Sequence, residues 1–208
     1  MGKGMKEIEL KFKLENRTKG DLILESPFVG DLLVSGSTGE LRMEATYYDT
    51  PDGRLSRQKA AYRIRKENEA CVATLKWSSK DEGGLSIRNE CNVDVTGEKP
   101  DLSVFLAAVS DFERLKLPNN EALEPILITR FLRRRAILAF ECAEIEMAVD
   151  EGEILAGEKS APICELELEL ISGEAETLIS LGKQFQRRFG LEPEGKSKFL
   201  RGMELMSP

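Results

Sequence analysis

Charged side chains that alternate with apolar ones along short strand-like segments are the residues of this sequence best suited to chemistry. In the run Glu7-Ile8-Glu9-Leu10-Lys11, the two acids and the lysine share one face of a strand, because successive strand side chains point to opposite sides. Alone, such a run is most often a half-buried strand with a solvated charged face. Its recurrence along the chain favours a chemical role.

The recurrence is visible when the polar face of each strand-like segment is written out. These faces carry Glu7, Glu9 and Lys11; Arg63 and Arg65; Lys76; Arg88 and Glu90; Arg133 and Arg135; Glu146 and Asp150; and Glu165, Glu167 and Glu169. They could coat an open sheet and face water, or they could line a closed barrel. We favour the barrel, because a closed barrel of about eight strands has room inside for side chains or one small ligand.

A charged interior needs partners. A buried charge that loses its partner destabilises a protein by roughly 3–5 kcal/mol. We therefore expect the acids to coordinate a hard divalent cation, which prefers carboxylate oxygens. We expect the arginines and lysines to hold a highly charged anion, and a polyphosphate meets both requirements.

The elements that must position these faces are strands joined by turns, which predicts a large or closed antiparallel sheet. Apolar residues at helical spacing predict a helix over 101–116 and a second long helix over 174–189 that ends at Gly190. We also expect a short helix beginning at 22–24 and limited by Pro27, and a turn at 151–153.

Composition narrows the function further. The 208 residues suit one domain, and the formal net charge of −7 gives no reason to expect a nucleic-acid partner. The sequence lacks a long apolar run and a signal peptide, so we expect no membrane association and a cytoplasmic location.

The absence of histidine excludes Ser-His-Asp and Cys-His catalysis. The four cysteines are widely spaced and are interpreted as reduced packing residues.

The charged runs, taken in order with their neighbours, form a series of short motifs: Glu7-x-Glu9-x-Lys11, Tyr48-Asp49-Thr50-Pro51, Arg63-x-Arg65, Thr74-Leu75-Lys76, Arg88-x-Glu90, Thr129-Arg130-Phe131-x-Arg133, Glu146-x-Ala148-x-Asp150-x-Gly152, Glu165-Leu166-Glu167-Leu168-Glu169 and Lys196-Ser197-Lys198. This series resembles the CYTH superfamily, the triphosphate tunnel metalloenzymes. Within it, the runs 164–170 and 155–157 are most similar to bacterial inorganic triphosphatases.

The resemblance implies an α+β fold in which an eight-stranded antiparallel β-barrel forms a tunnel and helices pack outside. It also implies residue roles. The implied ligands of Mg²⁺ or Mn²⁺ are Glu7, Glu9, Asp150, Glu165 and Glu167. The implied phosphate-binding residues are Lys11, Arg63, Arg65, Lys76, Arg88, Arg133, Arg135 and Lys196. The implied catalytic residues are Lys11, Arg63, Arg65, Lys76, Glu90, Arg133 and Asp150.

The activity implied by the resemblance is metal-dependent hydrolysis of inorganic triphosphate to pyrophosphate and phosphate. Class IV adenylyl cyclase, thiamine triphosphatase and a non-enzymatic polyphosphate- or nucleotide-binding module are the alternatives. We expect a single domain over residues 1–208 without the helical CHAD module, acting as a monomer or homodimer on a small triphosphate. The sequence leaves open which of Arg130, Arg133, Arg134 and Arg135 face the tunnel, and what Asn92 does at a position where many relatives carry an acid.

Overall fold

The computed structural model of the protein describes residues 5–106 and 120–207. Strands dominate it, as the alternating sequence pattern predicts, and most are longer than the short segments of that pattern. The strands are β1 (Met5–Lys13), β2 (Gly39–Asp49), β3 (Ala61–Glu67), β4 (Ala70–Glu82), β5 (Leu85–Val95), β6 (Glu124–Phe140), β7 (Ala143–Ala156), β8 (Lys159–Ser172) and the short β9 (Glu192–Pro193).

The sheet closes on itself. Its strand order is β5-β4-β3-β2-β6-β7-β8-β1, and β1 pairs with β5 as well as with β8. Every pairing between these strands is antiparallel. The predicted eight-stranded antiparallel barrel is therefore confirmed, and the open sheet with solvated charged faces is excluded.

Most of the apolar core lies outside this barrel, between its outer surface and helices. The helices are α1 (Arg17–Leu24), α2 (Pro27–Leu32), α3 (Ala175–Phe189) and α4 (Lys198–Met206). One core cluster joins residues of β1 and β8, such as Leu10 and Leu168, to residues of α3, such as Leu181 and Phe185. Because strand residues alternate, this arrangement turns the charged positions of the same strands towards the barrel interior.

The helix α3 matches the helix predicted over 174–189. It begins at Ala175 and ends where Gly190 adopts φ of 64°, a left-handed conformation that glycine reaches without steric strain. The α1 prediction was wrong at its start, since the Asn16 side chain accepts a hydrogen bond from the Lys19 amide and caps a helix that begins at Arg17. Pro27 does not limit a helix but begins α2, where its missing N–H is harmless.

Two other predictions concern β7 and the region near residue 101. The turn predicted at 151–153 was wrong, because β7 continues through Gly152 to Ala156. A Cβ atom on Gly152 would lie 2.0 Å from the carbonyl oxygen of Arg130 on β6, so this glycine permits close strand approach rather than a turn. Of the helix predicted over 101–116, a 3-10 turn at Leu102–Phe105 is present, and residues 107–119 lie outside the described residues.

The helix α4 packs inside one end of the barrel. Gly202 of α4 lies so close to Leu127 and Ile154 that a Cβ atom there would be 2.6 Å and 3.1 Å from their methyl groups. Leu127 and Ile154 share strand faces with Arg133 and Asp150, which face the interior. Phe199 of α4 stacks on Tyr47 with ring centroids 5.3 Å apart. This end of the interior is therefore apolar and filled, and the charged residues surround the remaining space.

Among the described residues, no helix is both long enough and apolar enough to cross a membrane.

The close contact at Gly152 leads to a stability prediction. Replacing Gly152 with Ala forces a methyl group against the β6 backbone, so we expect the free energy of unfolding to fall by about 3 kcal/mol, the upper end of the cost of overpacking. Gly30→Ala in α2 is the matched control, because no atom of the described residues lies within 4 Å of its Cβ position. Urea denaturation of both variants measures the difference, and equal stabilities would contradict the packing described.

Candidate active site

A cavity of about 650 Å³ occupies the barrel interior beside α4. Side chains of both charges line it, and nearly all come from the alternating faces identified in the sequence. The predicted residues found in its wall are Glu7, Glu9, Lys11, Arg63, Arg65, Lys76, Arg88, Glu90, Arg133, Arg135 and Glu167, together with Glu146 and Glu169. The structure thus brings the charged faces together around one space.

Lys76 is the centre of one group of ion pairs in this wall. Its ammonium nitrogen lies 2.6 Å and 2.8 Å from the two carboxylate oxygens of Glu7, and 2.5 Å from Glu90 Oε2. Arg88 donates to Glu9 Oε1 at 3.1 Å. Burial, together with the nearby carboxylates of Glu9 and Glu90, raises the pKa of Glu7 to about 8, although Lys76 opposes the rise.

Three carboxylates form a second group on the neighbouring strands β7 and β8. Asp150, Glu165 and Glu167 are each at most 9% exposed. Asp150 and Glu165 are directly paired across the strands. The ammonium of Lys198, from the first turn of α4, lies 2.6 Å from Asp150 Oδ2 and 3.0 Å from Glu167 Oε1, and it also contacts Glu165. Burial alone would lower the pKa of Lys198, but the three carboxylates raise it above its ordinary value.

Cations brace these carboxylates and connect the two groups. Arg133 donates to both oxygens of Asp150, at 2.8 Å and 2.7 Å, and also to Glu167. Lys11 lies 3.3 Å from Glu9 Oε1 and 3.6 Å from Glu167 Oε1, between the two groups. Every acid of the predicted metal set therefore has a cationic partner within the barrel.

The donor chemistry of the second group fits a hard divalent cation. One oxygen each from Asp150, Glu165 and Glu167 can be chosen so that all lie within 4.8 Å of one another. Carboxylate oxygens at this spacing suit Mg²⁺ or Mn²⁺. Among the described residues, Glu7 and Glu9 do not belong to this group and lie instead with Lys76 and Arg88.

Arg63 and Arg65 differ from the other cations of the wall, because part of each guanidinium lacks a partner. Within the described part of the chain, the buried Nε atoms of both arginines have no hydrogen-bond acceptor. Arg63 otherwise donates to the Tyr47 hydroxyl at 3.2 Å, and Arg65 pairs with Glu67. Burial and repulsion by Arg63 lower the pKa of Arg65. Buried donors without acceptors are costly, so this part of the wall is suited to an anionic ligand.

The structure also decides which arginines of β6 face the interior. Arg133 and Arg135 line the cavity, and Arg135 lies 3.2 Å from Glu146. Arg134 contacts Asp21 of α1 and lies 2.9 Å from Glu151 on the outer surface. Arg130 pairs with Glu44 at 2.8 Å on the outside as well.

Asn92 also lines the cavity, in the place where the sequence left its role open. Its carbonyl oxygen accepts from the Thr74 hydroxyl at 2.7 Å, and its amide nitrogen donates to Glu90 at 2.5 Å. Asn92 therefore holds the Glu90 carboxylate in place.

Three predicted residues are not in the cavity wall. Asp150 and Glu165 are buried, and the ammonium of Lys198, which lines the cavity, contacts both of them. The third is Lys196, which is half exposed and whose ammonium is 2.8 Å from a carboxylate oxygen of Glu204. Lys198 of the motif Lys196-Ser197-Lys198 was not identified from the sequence. Strand alternation gives no guidance here, because Ser197 caps α4 and helical geometry decides the direction of Lys198.

Three further residues matter that the charged pattern did not identify. Arg201 of α4 contacts Glu165. Tyr47 and Trp77 line the cavity, whereas the neighbouring Tyr48 packs against Tyr62 in a separate core cluster.

The fold and the site define a class of protein, an antiparallel barrel whose tunnel is lined by carboxylates and basic groups. Comparison with known proteins places the chain in that class. The CYTH domain profile matches residues 5–203. The chain therefore belongs to the CYTH domain family, which implies a divalent metal ion.

Individual relatives agree with this placement. The inorganic triphosphatase of Haemophilus influenzae is 36% identical over 155 residues, which is 74% of this chain and 43% of that protein. The chain thus spans less than half the length of this curated relative. A Hippeastrum protein, HpAC1, described as having a dominant triphosphatase activity, matches with a TM-score of 0.66 at 20% identity over 95% of both chains. A candidate adenylate cyclase of Bacillus halodurans matches with a TM-score of 0.60 at 19% identity over 99% of both chains.

Substitutions of two arginines of β6, Arg133 and Arg130, test whether the charged face of this strand points into the barrel. Replacing Arg133 with Met removes one of the cations that hold the buried Asp150 and Glu167, and Lys198 remains on both. We therefore expect a loss of about 3 kcal/mol in the free energy of unfolding, the lower end of the cost of breaking a buried ion pair. The matched control is Arg130→Met, which breaks an exposed ion pair worth about 0–1 kcal/mol. Denaturation of both variants in metal-free buffer makes the comparison. Similar small losses would mean that Arg133 is not bound within the barrel.

Proposed function

We propose that this protein hydrolyses a linear triphosphate, with inorganic triphosphate as the substrate and pyrophosphate and phosphate as the products. One observation carries the proposal. Arg63 and Arg65 lie on β3 with buried donors that find no acceptor in residues 5–106 and 120–207, and the three carboxylates lie on β7 and β8. In the closed strand order, β3 and β8 are on opposite sides of the barrel. A triphosphate with divalent cations satisfies both walls at once.

The cations of the wall are the proposed phosphate-binding residues. Guanidinium groups bind phosphoryl oxygens through paired N–H donors, and lysine adds a point charge. The donors left without acceptors make Arg63 and Arg65 the first contacts. The other proposed contacts are Lys11, Lys76, Arg88, Arg133, Arg135 and Lys198.

Asp150, Glu165 and Glu167 are the proposed metal ligands, with Glu7 and Glu9 as further candidates. Mg²⁺ or Mn²⁺ bound there would supply neutralisation of phosphoryl charge and activation of water. Arg133 fixes the Asp150 carboxylate through two hydrogen bonds, and Asn92 fixes Glu90, so both acids are held rigidly enough to orient a water molecule. Arginines that are already in place stabilise charge as the bond to the leaving phosphate breaks.

A triphosphate that carries an organic group is the second candidate substrate. Apolar residues line the same cavity, among them Leu41, Met43 and Leu200. They offer a surface for a nucleoside or a thiamine, which would correspond to adenylyl cyclase or thiamine triphosphatase activity.

We also propose a cytoplasmic location, no binding to nucleic acid or membranes, and a monomer or homodimer as the active form. The location is supported by the four cysteines, all of which are free thiols, as in proteins of reducing compartments. The net charge of −7 supports the absence of a nucleic-acid partner.

Substrate identity is tested by phosphate release from tripolyphosphate, thiamine triphosphate and ATP in parallel, each with Mg²⁺, with Mn²⁺ and with EDTA. We expect the fastest release from tripolyphosphate and none with EDTA, because the carboxylates need a cation to bind the substrate productively. Release that persists in EDTA would contradict the metal assignment. Formation of cyclic AMP from ATP without hydrolysis of tripolyphosphate would replace the proposed reaction with cyclisation.

The role of Arg63 is tested by replacing it with Met. We expect the KM for tripolyphosphate to rise at least tenfold, because a charge-assisted contact worth about 1.5–3 kcal/mol is lost. Arg57→Met is the control, since Arg57 is exposed and pairs with Asp52 on the surface. Circular dichroism confirms that both variants are folded. An unchanged KM in folded Arg63→Met would remove Arg63 from the phosphate site.

A further inference from the structure

Lys198 occupies the position at the three carboxylates that a metal ion would need. Its ammonium group contacts Asp150, Glu165 and Glu167, and it is 6% exposed. We propose that Lys198 is an internal counter-ion that a divalent cation displaces, and that the displaced ammonium then binds the phosphate chain. This inference rests on the proposed function and adds a coupling between metal loading and phosphate binding.

The fit between the ammonium and the carboxylates explains why Lys198 lies there. An ammonium has three N–H donors, and each of the three carboxylates receives one contact. Acids this deeply buried are strongly destabilising without a cation. Lys198 therefore keeps the barrel stable when no metal is bound.

The same contacts oppose metal binding. A divalent cation coordinates carboxylate oxygens at roughly 2.0–2.6 Å, and the Lys198 nitrogen lies 2.6 Å and 3.0 Å from oxygens of Asp150 and Glu167. Both cations would then lie within a few ångströms of each other, where their repulsion is strong in a medium of low dielectric constant. Metal binding must move the ammonium away.

The local structure allows this movement. Lys198 is the first residue of α4. In the part of the chain that the structure describes, no atom lies within 4 Å of the Cβ position of nearby Gly195. The lysine side chain has four rotatable bonds and lines the cavity. Arg133 and Arg201 remain on Asp150 and Glu165, so the carboxylates stay in place when the ammonium leaves.

The consequence is that metal and phosphate bind cooperatively. A metal ion that binds alone takes the three carboxylates from the Lys198 ammonium and leaves it near the cations Lys11 and Arg133, at an electrostatic cost. A phosphate chain in the same space accepts that ammonium and removes the penalty. By linkage, the metal must strengthen phosphate binding by the same factor.

The proposal is tested by Mn²⁺ binding without any phosphate, measured by electron paramagnetic resonance and calorimetry. We expect Lys198→Met to bind Mn²⁺ more tightly than the wild type, on the order of tenfold, the scale on which partners of metal ligands change affinity. Lys196→Met is the matched control and should match the wild type, because Lys196 contacts Glu204 on the surface. Equal or weaker Mn²⁺ binding by Lys198→Met would overturn the proposal, as would no binding by either protein.

A second measurement uses the wild type alone, in case Lys198→Met does not fold. Reductive methylation followed by mass spectrometry gives the reactivity of Lys198, with Lys196 in the same peptide region as internal reference. We expect Mg²⁺ to increase methylation of Lys198 severalfold and to leave methylation of Lys196 unchanged. Unchanged methylation of Lys198 would overturn the proposal.

Neither measurement uses hydrolysis, so the counter-ion role and the triphosphatase activity are tested separately. Tighter Mn²⁺ binding without phosphate release would refute the triphosphatase alone, and phosphate release without a change in binding would refute the counter-ion alone.

Discussion

Pairing of buried charges inside a closed barrel is the constraint on which the rest of this structure depends. Acids such as Asp150 and Glu165 are almost completely buried, and such groups are tolerated only beside cations. The barrel supplies those cations from neighbouring strands and from α4. The hydrophobic core that stabilises the fold lies instead on the outer surface, beneath α1, α2 and α3. The barrel interior beside α4 is thus charged, while most of the apolar core lies between the barrel and the outer helices.

On one side of the tunnel each carboxylate is held by a cation, whereas on the other side two arginines keep donors without acceptors among the described residues. Around Asp150, Glu165 and Glu167, each carboxylate contacts at least one cation. At Arg63 and Arg65, buried donors remain without acceptors in the described part of the chain. The two walls of the tunnel are therefore suited to ligands of opposite charge. A metal cation can replace a cation at the carboxylates, and an anion can bind at the arginines. A triphosphate with its metal ion supplies both the cation and the anion, which is why we favour this substrate over a simple anion or a metal alone.

Strand alternation made most of the site predictable from the sequence. For Glu7, Glu9 and Lys11, membership of a strand face fixed the side of the sheet, and barrel closure then fixed the shared interior. The same rule separates Arg133 and Arg135 from Arg134, once β6 is known to continue without a break. It could not identify Lys198, whose direction depends on the start of a helix and on how α4 enters the barrel. The turn predicted at Gly152 was wrong for a related reason. In a sequence, a glycine that permits two strands to approach closely cannot be distinguished from a glycine in a turn.

Diffraction from crystals grown with Mn²⁺ and a non-hydrolysable triphosphate tests the central claim most directly. The anomalous signal of manganese locates the ion independently of the protein coordinates. The account predicts a manganese peak within coordination distance of Asp150, Glu165 and Glu167, with the phosphate chain between them and Arg63. Manganese bound only on the outer surface of the barrel, with no phosphate in the tunnel, would contradict it.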